Sequence, residues 1–438
     1  MAMTEVSFDR LYEKLDKSTL ALKMGKVKKV IGLIIHAVGL KVFVGEVCHI
    51  LIGENIRISA EVVGFQDENV LLMPLGDVQG IGPGCLVLPT GNALKVKVGD
   101  ALLGSTLDGL GNPMDEIKRK LTGYGDINNV PPNPFQRKKI EKVMSTGVKA
   151  IDGVLTCGEG QRIGIFAGSG VGKSTLLGMI ARYSDADVNV IGLIGERGRE
   201  VLEFIERDLG EEGYKKSVII CATSDQPPLV RLKGAYVATA IAEYFRDQGK
   251  KVMFMMDSVT RFAMAQREIG LAIGEPPTTR GYTPSVFATL PKLLERSGMS
   301  KDGSITAFYT VLVEGDDMNE PIADAVRGIL DGHIVLSRKL AGKNHFPSID
   351  VQQSVSRVMK EVVSKEHYDY AGKLKENMAR YQESEDLINV GAYAKGRNPE
   401  LDRAVELKMS IDGFLKQETD DSRHYEDTIR ELENIFRK

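Results

Sequence analysis

The spacing of hydrophobic and polar residues changes along the chain and divides it into regions of different secondary structure. Residues 4–22 place Phe8, Leu11, Tyr12 and Leu15 at helical intervals among charged residues, which predicts an amphipathic helix. Its apolar stripe would either pack on its own domain or bind a partner. From about residue 26 to residue 89, short β-rich runs alternate with Gly, Asn, Asp and Pro, which predicts a small barrel or sandwich. The predicted strands are Val27–Ala37, Lys41–Leu51, Ile56–Phe65, Val70–Leu75 and Leu86–Leu88.

The remainder of the chain shows two further patterns. From Ser145 to about Leu340, apolar runs of strand length alternate with helical patterns, as in a parallel α/β sheet. After Arg357 the sequence becomes helical and highly charged, and we predict a small helical C-terminal domain with helices at 361–380, 383–393, 400–417 and 422–437. A proline-bearing stretch at 128–135 suits an extended connector. The predicted regions are an N-terminal helical segment (1–22), a β-barrel (23–92), a connector (93–135), an α/β domain (136–360) and the helical domain (361–438).

Composition narrows the class of protein. A length of 438 residues allows two or three domains, and a net charge of -3 gives no general support for nucleic-acid binding. The four cysteines are widely separated, without the spacing of a metal site, and are expected to be core residues in a reducing compartment. No signal peptide and no uncharged run of membrane-spanning length are recognisable in the sequence.

The strongest chemical signal is a glycine-rich turn within Gln161–Arg182. An apolar run, Ile163–Phe166, predicts a buried strand; the turn AGSGVG, the triplet KST and an apolar helix start follow. This is nearly the P-loop pattern, with Ala167 where the consensus has its first glycine. An ordinary strand-to-helix turn is the alternative, but the flanking elements and the GKS ending favour a phosphate site. The predicted nucleotide-binding residues are Gly168, Ser169, Gly170, Val171, Gly172, Lys173, Ser174 and Thr175.

Within this site, Lys173 is expected to reach the β- and γ-phosphates, and the Ser174 hydroxyl to bind Mg²⁺. Asp257 follows the apolar run Val252–Met256, so its carboxylate would lie beside the metal; helix capping is the alternative. Glu196 follows the run Val188–Ile194 and is the candidate general base. A structural role for Glu196, paired with a neighbouring arginine, fits the sequence equally well.

Long segments of the chain resemble one family. They include GQRIGIFAGSGVGKSTLL, GERGREV, MDSVTRFAMAQREI, GEPPTTRGYTPSVFATLPKLLERSG, VLVEGDDMNEPIADAVRGILDGHIVLSR and IDVQQSVSR. In this order they are similar to the ATPases of type III protein export, most of all the flagellar ones, which are related to the catalytic subunit of rotary ATP synthases. The resemblance implies an α/β RecA-like P-loop ATPase core with an N-terminal β-barrel and a C-terminal helical domain, assembled as a homo-hexamer.

The resemblance also assigns roles to individual residues. The GERGR motif implies that Glu196 is the catalytic carboxylate and that Arg197 contacts phosphate. The SVSR motif implies that Arg357 is an arginine finger that enters the site of a neighbouring subunit. HFPSID matches the stretch with the adenine-stacking aromatic residue, here Phe346 where tyrosine is often found. Core packing is the alternative role for Phe346.

The function implied is Mg²⁺-dependent ATP hydrolysis coupled to protein export through a bacterial flagellar type III secretion apparatus. The implied partners are a stator or regulator protein at the N-terminal segment, an export gate, a central stalk protein, chaperones and export substrates, with no nucleic acid. The expected location is the cytoplasm, peripheral at the cytoplasmic side of the inner-membrane export apparatus. The alternatives are a virulence secretion ATPase, a rotary ATP synthase catalytic subunit, a non-catalytic nucleotide-binding subunit, which Glu196 disfavours, and a hexameric RNA translocase.

Overall fold

A computed structural model describes residues 23–53, 56–313, 315 and 317–437. Its described residues form two compact units, one containing those up to Leu94 with Leu271–Glu275, the other those of Lys95–Gly270 and those from Pro276 onward. The helix predicted at residues 4–22 lies outside the described residues. Within the described ranges, no helix combines the length and the apolarity that a membrane span needs.

The first unit contains a closed antiparallel barrel. Its strand order is β1-β2-β5-β4-β3-β6, and β6 closes the barrel on β1. Alternate side chains point inward and form an apolar core that includes Val27, Ile35, Ile50 and Leu72. The barrel expected from the β-rich runs is therefore confirmed. The strands are β1 (Gly25–Ile31), β2 (Ile34–Val38), β3 (Glu46–Ile52), β4 (Ile56–Gln66), β5 (Asn69–Pro74) and β6 (Leu86–Ala93).

Two of the predicted strands were wrong in extent. The run Val27–Ala37 is a hairpin, because the chain turns at Gly32 with a φ of 55° that suits glycine. The run Lys41–Leu51 becomes a strand only at Glu46. Before it, the Glu46 N–H donates to the Phe43 carbonyl in a turn that contains Gly45 at a φ of 93°. In both runs, a glycine with positive φ interrupts an otherwise β-like apolar sequence.

The second unit is built on a largely parallel sheet in the order β17-β16-β10-β15-β13-β11-β12-β8. Only the β16–β17 and β14–β15 pairings of the described sheet are antiparallel. Strand β8 comes from the stretch expected to be a connector, and it pairs in parallel with β12 at the sheet edge. Strands β7 and β9 form a separate antiparallel pair. The strands are β7 (Lys95–Val98), β8 (Ser105–Asp108), β9 (Gly123–Asp126), β10 (Arg162–Ala167), β11 (Val188–Ile194), β12 (Ser217–Ala222), β13 (Lys251–Asp257), β14 (Gly298–Met299), β15 (Ser304–Leu312), β16 (Gly332–Leu336) and β17 (Ile349–Ser356).

Helices cover the sheet and form the C-terminal region. Those between the strands are α1 (Lys149–Val154), α2 (Lys173–Tyr183), α3 (Gly198–Glu203), α4 (Gly210–Lys215), α5 (Pro228–Asp247), α6 (Val259–Ile273), α7 (Pro284–Leu294), α8 (Pro321–Ile329) and α9 (Arg338–Gly342). A π-helical segment, Phe204–Leu209, joins α3 to α4. The C-terminal helices are α10 (Met359–Val362), α11 (Lys365–Glu383), α12 (Glu385–Asn389), α13 (Pro399–Leu415) and α14 (Tyr425–Phe436).

The C-terminal helices share one hydrophobic core with the sheet. Leu374, Phe414 and Leu432 pack in the same buried cluster as Ile151 and Val154 of α1. The helix expected at 361–380 is divided, because the Ser364 hydroxyl caps a new helix by accepting a hydrogen bond from the His367 N–H. The helix expected at 383–393 is shorter and covers only Glu385–Asn389.

Candidate active site

Three parallel strands end around one cavity. Strands β10, β11 and β13 run in the same direction, so Ala167, Ile194 and Asp257 lie at the carboxyl edge of the sheet, where open α/β sheets bind ligands. The cavity has a volume of about 440 Å³. It is lined by Gly168, Ser169, Gly170, Gly172, Lys173, Ser174, Thr175, Gly195, Glu196, Arg197, Glu200, Arg207, Ser224, Arg261 and Leu312.

The glycine-rich turn connects β10 to α2 as the sequence predicted. Gly170 and Gly172 have φ angles of 75° and 86°, which only glycine adopts without strain. Gly172 lies at the N-cap of α2 and offers no side-chain cap, so the first-turn N–H groups and the positive helix end are suited to an anion. Ala167 pairs with Leu312 and Leu336 as the last residue of β10, and its side chain is buried. The alanine therefore lies in the sheet, and the turn itself keeps its glycines.

Lys173 lies between two carboxylates contributed by neighbouring parts of the sheet. Its Nζ atom is 2.5 Å from Asp257 Oδ1 and 3.5 Å from Glu196 Oε1. The Thr310 hydroxyl on β15 donates a hydrogen bond of 2.7 Å to the same Asp257 oxygen. The side chains of Lys173, Glu196 and Asp257 are 13%, 15% and 5% exposed. The fold thus brings three of the sequence-predicted residues into direct contact in a largely buried position.

Burial and charge set the protonation behaviour of this group. Burial, followed by the negative charge of Asp257, raises the pKa of Glu196 to about 7. Burial alone would lower the pKa of Lys173, but Asp257 and Glu196 together raise it above its ordinary value. Lys173 therefore stays cationic at neutral pH, whereas the Glu196 carboxyl changes its protonation state near neutral pH. A carboxylate with a pKa near the working pH is well suited to accept a proton during catalysis.

The two predicted catalytic arginines occupy different places. Arg197 precedes α3, lines the cavity and forms an ion pair of 3.2 Å with Glu200. Arg357 directly follows β17, is exposed, and does not line this cavity. Its N–H donates to the Asp331 carbonyl at 3.0 Å, and its guanidinium lies 3.5 Å from the Arg327 carbonyl. The chain therefore does not bring Arg357 to its own phosphate loop.

Phe346 lies beside Gly172 of the glycine-rich turn. The residue is 41% exposed, and a Cβ atom added to Gly172 would lie 3.5 Å from the Phe346 ring. The loop that carries Phe346 is attached to the turn, because the Ser348 hydroxyl donates a hydrogen bond of 2.6 Å to the Val171 carbonyl. The Val171 side chain itself is buried in the core and does not line the cavity.

Two arginines, one lining the cavity and one packed against the glycine-rich turn, were not predicted from the sequence. Arg261 follows Asp257 by four residues on the first turn of α6, and its buried Nε has no hydrogen-bond partner among the described residues. The spacing from a strand-end carboxylate could have indicated it. The Arg338 guanidinium packs against Gly168, 2.6–3.0 Å from where a Cβ atom would lie. Nothing in the local sequence around Arg338 indicates this contact, which depends on the pairing of β16 with β10.

The donor set fits a metal held mainly by substrate. Among residues 23–53, 56–313, 315 and 317–437, no cluster of three His, Cys, Asp or Glu side chains could bind a metal by itself. Ser174 lines the cavity and provides a hydroxyl. Asp257, the last residue of β13, provides a carboxylate that contacts the cavity residue Lys173. Mg²⁺ in nucleotide sites typically takes one or two protein oxygens and completes its shell with phosphate and water. The two residues match that requirement.

A glycine-rich strand-to-helix turn with its lysine between two strand-end carboxylates is typical of a P-loop nucleoside triphosphatase. Family models agree with this class along the chain. Residues 27–91 match the beta-barrel domain of the ATP synthase alpha/beta family, and residues 147–356 match its nucleotide-binding domain. Residues 363–434 match the T3SS EscN ATPase C-terminal domain.

Three bacterial relatives are similar to this chain over more than nine tenths of its length. The flagellum-specific ATP synthase of Bacillus subtilis (strain 168) is 58% identical over 94% of this chain and 95% of its own length. The protein with the same name from Treponema pallidum (strain Nichols) is 54% identical over 93% and 92%. The type 3 secretion system ATPase of Xanthomonas euvesicatoria is 52% identical over 95% and 96%. The chain belongs to the family of flagellum-specific ATP synthases and type III secretion ATPases.

Solved structures agree with the fold. The assembled ATPase EscN of the enteropathogenic E. coli type III secretion system has a TM-score of 0.89 at 49% identity, and the match covers 94% of this chain and 99% of EscN. These findings confirm the family resemblance, the α/β RecA-like fold with its barrel and helical domain, and the enzyme class, an ATPase.

Proposed function

We propose that the chain hydrolyses ATP in the cavity beside the glycine-rich turn and that this hydrolysis energises protein export through a flagellar type III apparatus. The observation that carries the proposal is the position of Lys173 between Glu196 and Asp257 at the edge of the sheet. Such a group provides a cation for phosphate, an acidic ligand for a metal, and a base for water.

Substrate binding would begin at the turn. The N–H groups of the turn and the start of α2 would hold the phosphates, and Lys173 would contact the β- and γ-phosphates. Ser174 and Asp257 would hold Mg²⁺, which when bound neutralises charge on the phosphate oxygens. Thr310 orients the Asp257 carboxylate through its 2.7 Å hydrogen bond. Phe346 would stack on the adenine with its exposed face.

The chemical step requires an activated water. Glu196 in its ionised form would accept a proton from the water as the water oxygen attacks the terminal phosphorus and the bond to the bridging oxygen breaks. The pKa of about 7 leaves a substantial ionised fraction of Glu196 at neutral pH. Arg197 is placed at the same cavity, where its guanidinium would contact the phosphate oxygens that gain charge.

One component of the site would come from a second subunit. Arg357 is exposed and lies away from its own cavity, so we propose that it acts as an arginine finger in the site of a neighbour. This role requires a ring in which every chain gives and receives an arginine, and we propose a homo-hexamer. The similar EscN was solved as an assembled ATPase, and a second structure contains EscN with its central stalk EscO. A stalk protein in the centre of the ring is therefore included in the proposal.

Flagellar export is favoured by the identities of 58% and 54% to flagellum-specific ATP synthases. The remaining proposed partners are a regulator at the N-terminal segment, an export gate, chaperones and export substrates. The proposed location is cytoplasmic and peripheral at the inner-membrane apparatus. A second candidate, a virulence secretion ATPase, is supported by the 52% identity to the Xanthomonas euvesicatoria protein.

Complementation distinguishes the two candidates. The chain is expressed in cells that lack their own flagellar ATPase and, separately, in cells that lack a secretion-system ATPase. Restored filaments and swimming without restored effector secretion would support the flagellar function, and the reverse would support the second candidate. Lys173→Ala, which removes the proposed phosphate contact, should restore neither and serves as the control once thermal unfolding shows that it is folded.

Binding of the proposed regulator is tested by substituting two apolar residues of the N-terminal segment. Leu11→Asp combined with Leu15→Asp keeps the length of the segment and removes its apolar face. If the stripe binds the regulator, calorimetry should show loss of that binding, since each large buried apolar side chain contributes about 1.5–3 kcal/mol before ordering costs. ATP affinity should stay unchanged. Unaltered regulator binding would contradict the assignment.

A further inference from the structure

We propose that Gln417, in the C-terminal region, is a positioning residue for the adenine base. Its side chain fixes the segment that follows α13, and the main-chain N–H of the same residue donates a hydrogen bond of 3.0 Å to the Phe346 carbonyl. Gln417 thereby sets the position of the aromatic ring without touching the nucleotide. The inference rests on the proposed base-stacking role of Phe346, and the experiment below separates the two.

Every polar group of the Gln417 side chain is used. Oε1 accepts a hydrogen bond of 2.8 Å from the Lys149 N–H. Nε2 donates to the Gly147 carbonyl at 2.8 Å and to the Asp421 carbonyl at 2.6 Å. The residue is 7% exposed, so none of these bonds competes with bulk water. A buried amide with all its partners holds the backbone around it in a single arrangement.

Two of the residues that bond to the Gln417 side chain belong to a segment that is itself held by hydrogen bonds. Gly147 and Lys149 lie at the entry to α1, where the Asp152 carboxylate accepts hydrogen bonds from the Gly147 N–H at 3.0 Å and the Thr146 N–H at 2.8 Å. The segment is attached a second time at Thr419, whose carbonyl accepts a hydrogen bond of 3.0 Å from the Tyr183 hydroxyl at the end of α2. Gln417 is therefore anchored to the framework that also carries the glycine-rich turn.

The Phe346 loop is consequently held from two sides. On one side, the Ser348 hydroxyl joins it to the turn through the Val171 carbonyl. On the other side, the Gln417 N–H joins it to the C-terminal region. The first contact sets the distance of the loop from the glycine-rich turn. The second lies at Phe346 itself and sets where the ring stands relative to Gly172, and hence where a base can stack.

Gln417 could also serve only to attach the C-terminal helices to the sheet, and this role has to be distinguished from positioning of the Phe346 ring. Gln352 on β17 provides the matched control, because its Nε2 donates a hydrogen bond of 2.7 Å to the Lys375 carbonyl of α11. It joins the same two regions through the same chemical group, yet it has no described contact with Phe346 or the turn. Loss of Gln352 should therefore affect attachment and leave base recognition intact.

The experiment compares Gln417→Met with Gln352→Met in the full chain. Binding of ADP and of inorganic tripolyphosphate, which has no base, is measured by calorimetry, together with kcat and KM for ATP. For Gln417→Met we expect ADP to bind about 3- to 10-fold more weakly, the equivalent of one or two hydrogen bonds, with tripolyphosphate affinity within about twofold. KM should rise in parallel and kcat should change by less than about twofold. Gln352→Met should leave both ligands within about twofold.

Phe346→Ala completes a double-mutant cycle. Because Gln417 acts through Phe346, adding Gln417→Met to Phe346→Ala should produce almost no further loss of ADP affinity. Three results would each overturn the inference. The affinity losses of Gln417→Met and Phe346→Ala could multiply in full in the double variant. Gln417→Met could weaken ADP and tripolyphosphate equally, or it could leave ADP affinity unchanged. If Phe346→Ala weakens ADP binding while Gln417→Met does not, only the inference fails. If Phe346→Ala leaves ADP binding unchanged, both the base-stacking role of Phe346 and the positioning role of Gln417 are rejected.

Thermal unfolding establishes that each variant is folded before binding is compared. Gln417→Glu is the second variant, since it keeps an acceptor for the Lys149 N–H but places a carboxylate oxygen against the Gly147 and Asp421 carbonyls. It should show the same selective loss of ADP affinity. If neither Gln417 variant folds, the residue serves the fold as a whole and the positioning role is rejected.

Discussion

Because we propose Glu196 as the general base, its protonation state should make the ATPase activity dependent on pH in a specific range. Burial and the nearby Asp257 charge raise the pKa of the Glu196 carboxyl to about 7. A general base must be ionised to accept a proton. The value of kcat/KM for ATP should therefore fall as the pH is lowered through about 7, because protonation removes the base from the free enzyme.

The size of the effect follows from the pKa. With a pKa of about 7, roughly one tenth of Glu196 is ionised at pH 6 and roughly nine tenths at pH 8. We expect kcat/KM to rise about tenfold over this range and to level off above it. An ordinary glutamate, with a pKa near 4.5, would be ionised throughout and would give no rise.

The assay is steady-state hydrolysis at constant ionic strength and saturating Mg²⁺, between pH 5.5 and pH 9. Affinity for ADP, measured at the same pH values, is the control for changes in nucleotide binding. Gln352→Met should give the same profile as the parent, because Gln352 lies outside the cavity. A profile that is flat between pH 6 and pH 8, with stable ADP binding, would refute the assignment of a raised pKa to the catalytic base.

Two further predictions test the proposed arginine finger between subunits and the hydrophobic core shared by the C-terminal helices and the sheet. Arg357→Ala chains should be nearly inactive, since an arginine finger contributes about 10³–10⁵ to turnover, and should regain activity when mixed with Lys173→Ala chains, whose arginine is intact. Absence of rescue in rings shown to be mixed would contradict action in trans. Phe414→Ala should lower the free energy of unfolding by about 3–5 kcal/mol in denaturant titrations, because Phe414 is 1% exposed in the shared core. Met409→Ala on the same helix, 86% exposed, should change it by less than about 0.5 kcal/mol; equal effects would refute the shared core.

Much of the fold and the phosphate site could be predicted because their signals are local. The turn from Gly168 to Lys173 is contiguous, and its glycines, lysine and flanking elements are all visible in the sequence. Glu196 and Asp257 each follow an apolar strand, and parallel strands end at one edge of a sheet, so their convergence on a common site was predictable. Their direct contact with Lys173 required the strand order.

Other features depend on long-range pairing or on backbone conformation. The hairpin within Val27–Ala37 is set by the positive φ of Gly32, which apolar periodicity does not reveal. Strand β8 has only four residues, and its place at the sheet edge is decided by pairing with β12, about 110 residues further along the chain. Gln417 reaches its partners Gly147 and Lys149 across some 270 residues, so no local pattern could identify it.

We have proposed the cavity at the glycine-rich turn as the site of ATP hydrolysis, with Glu196 as the general base. The most direct test is a comparison of Glu196→Gln with Lys173→Ala, with ADP and ATP binding and single-turnover hydrolysis measured on the same preparations. We predict that Glu196→Gln binds ATP with nearly the affinity of the parent and hydrolyses it about 10²–10⁴-fold more slowly, whereas Lys173→Ala loses binding itself. Hydrolysis at the parent rate by Glu196→Gln would show that Glu196 is not the general base.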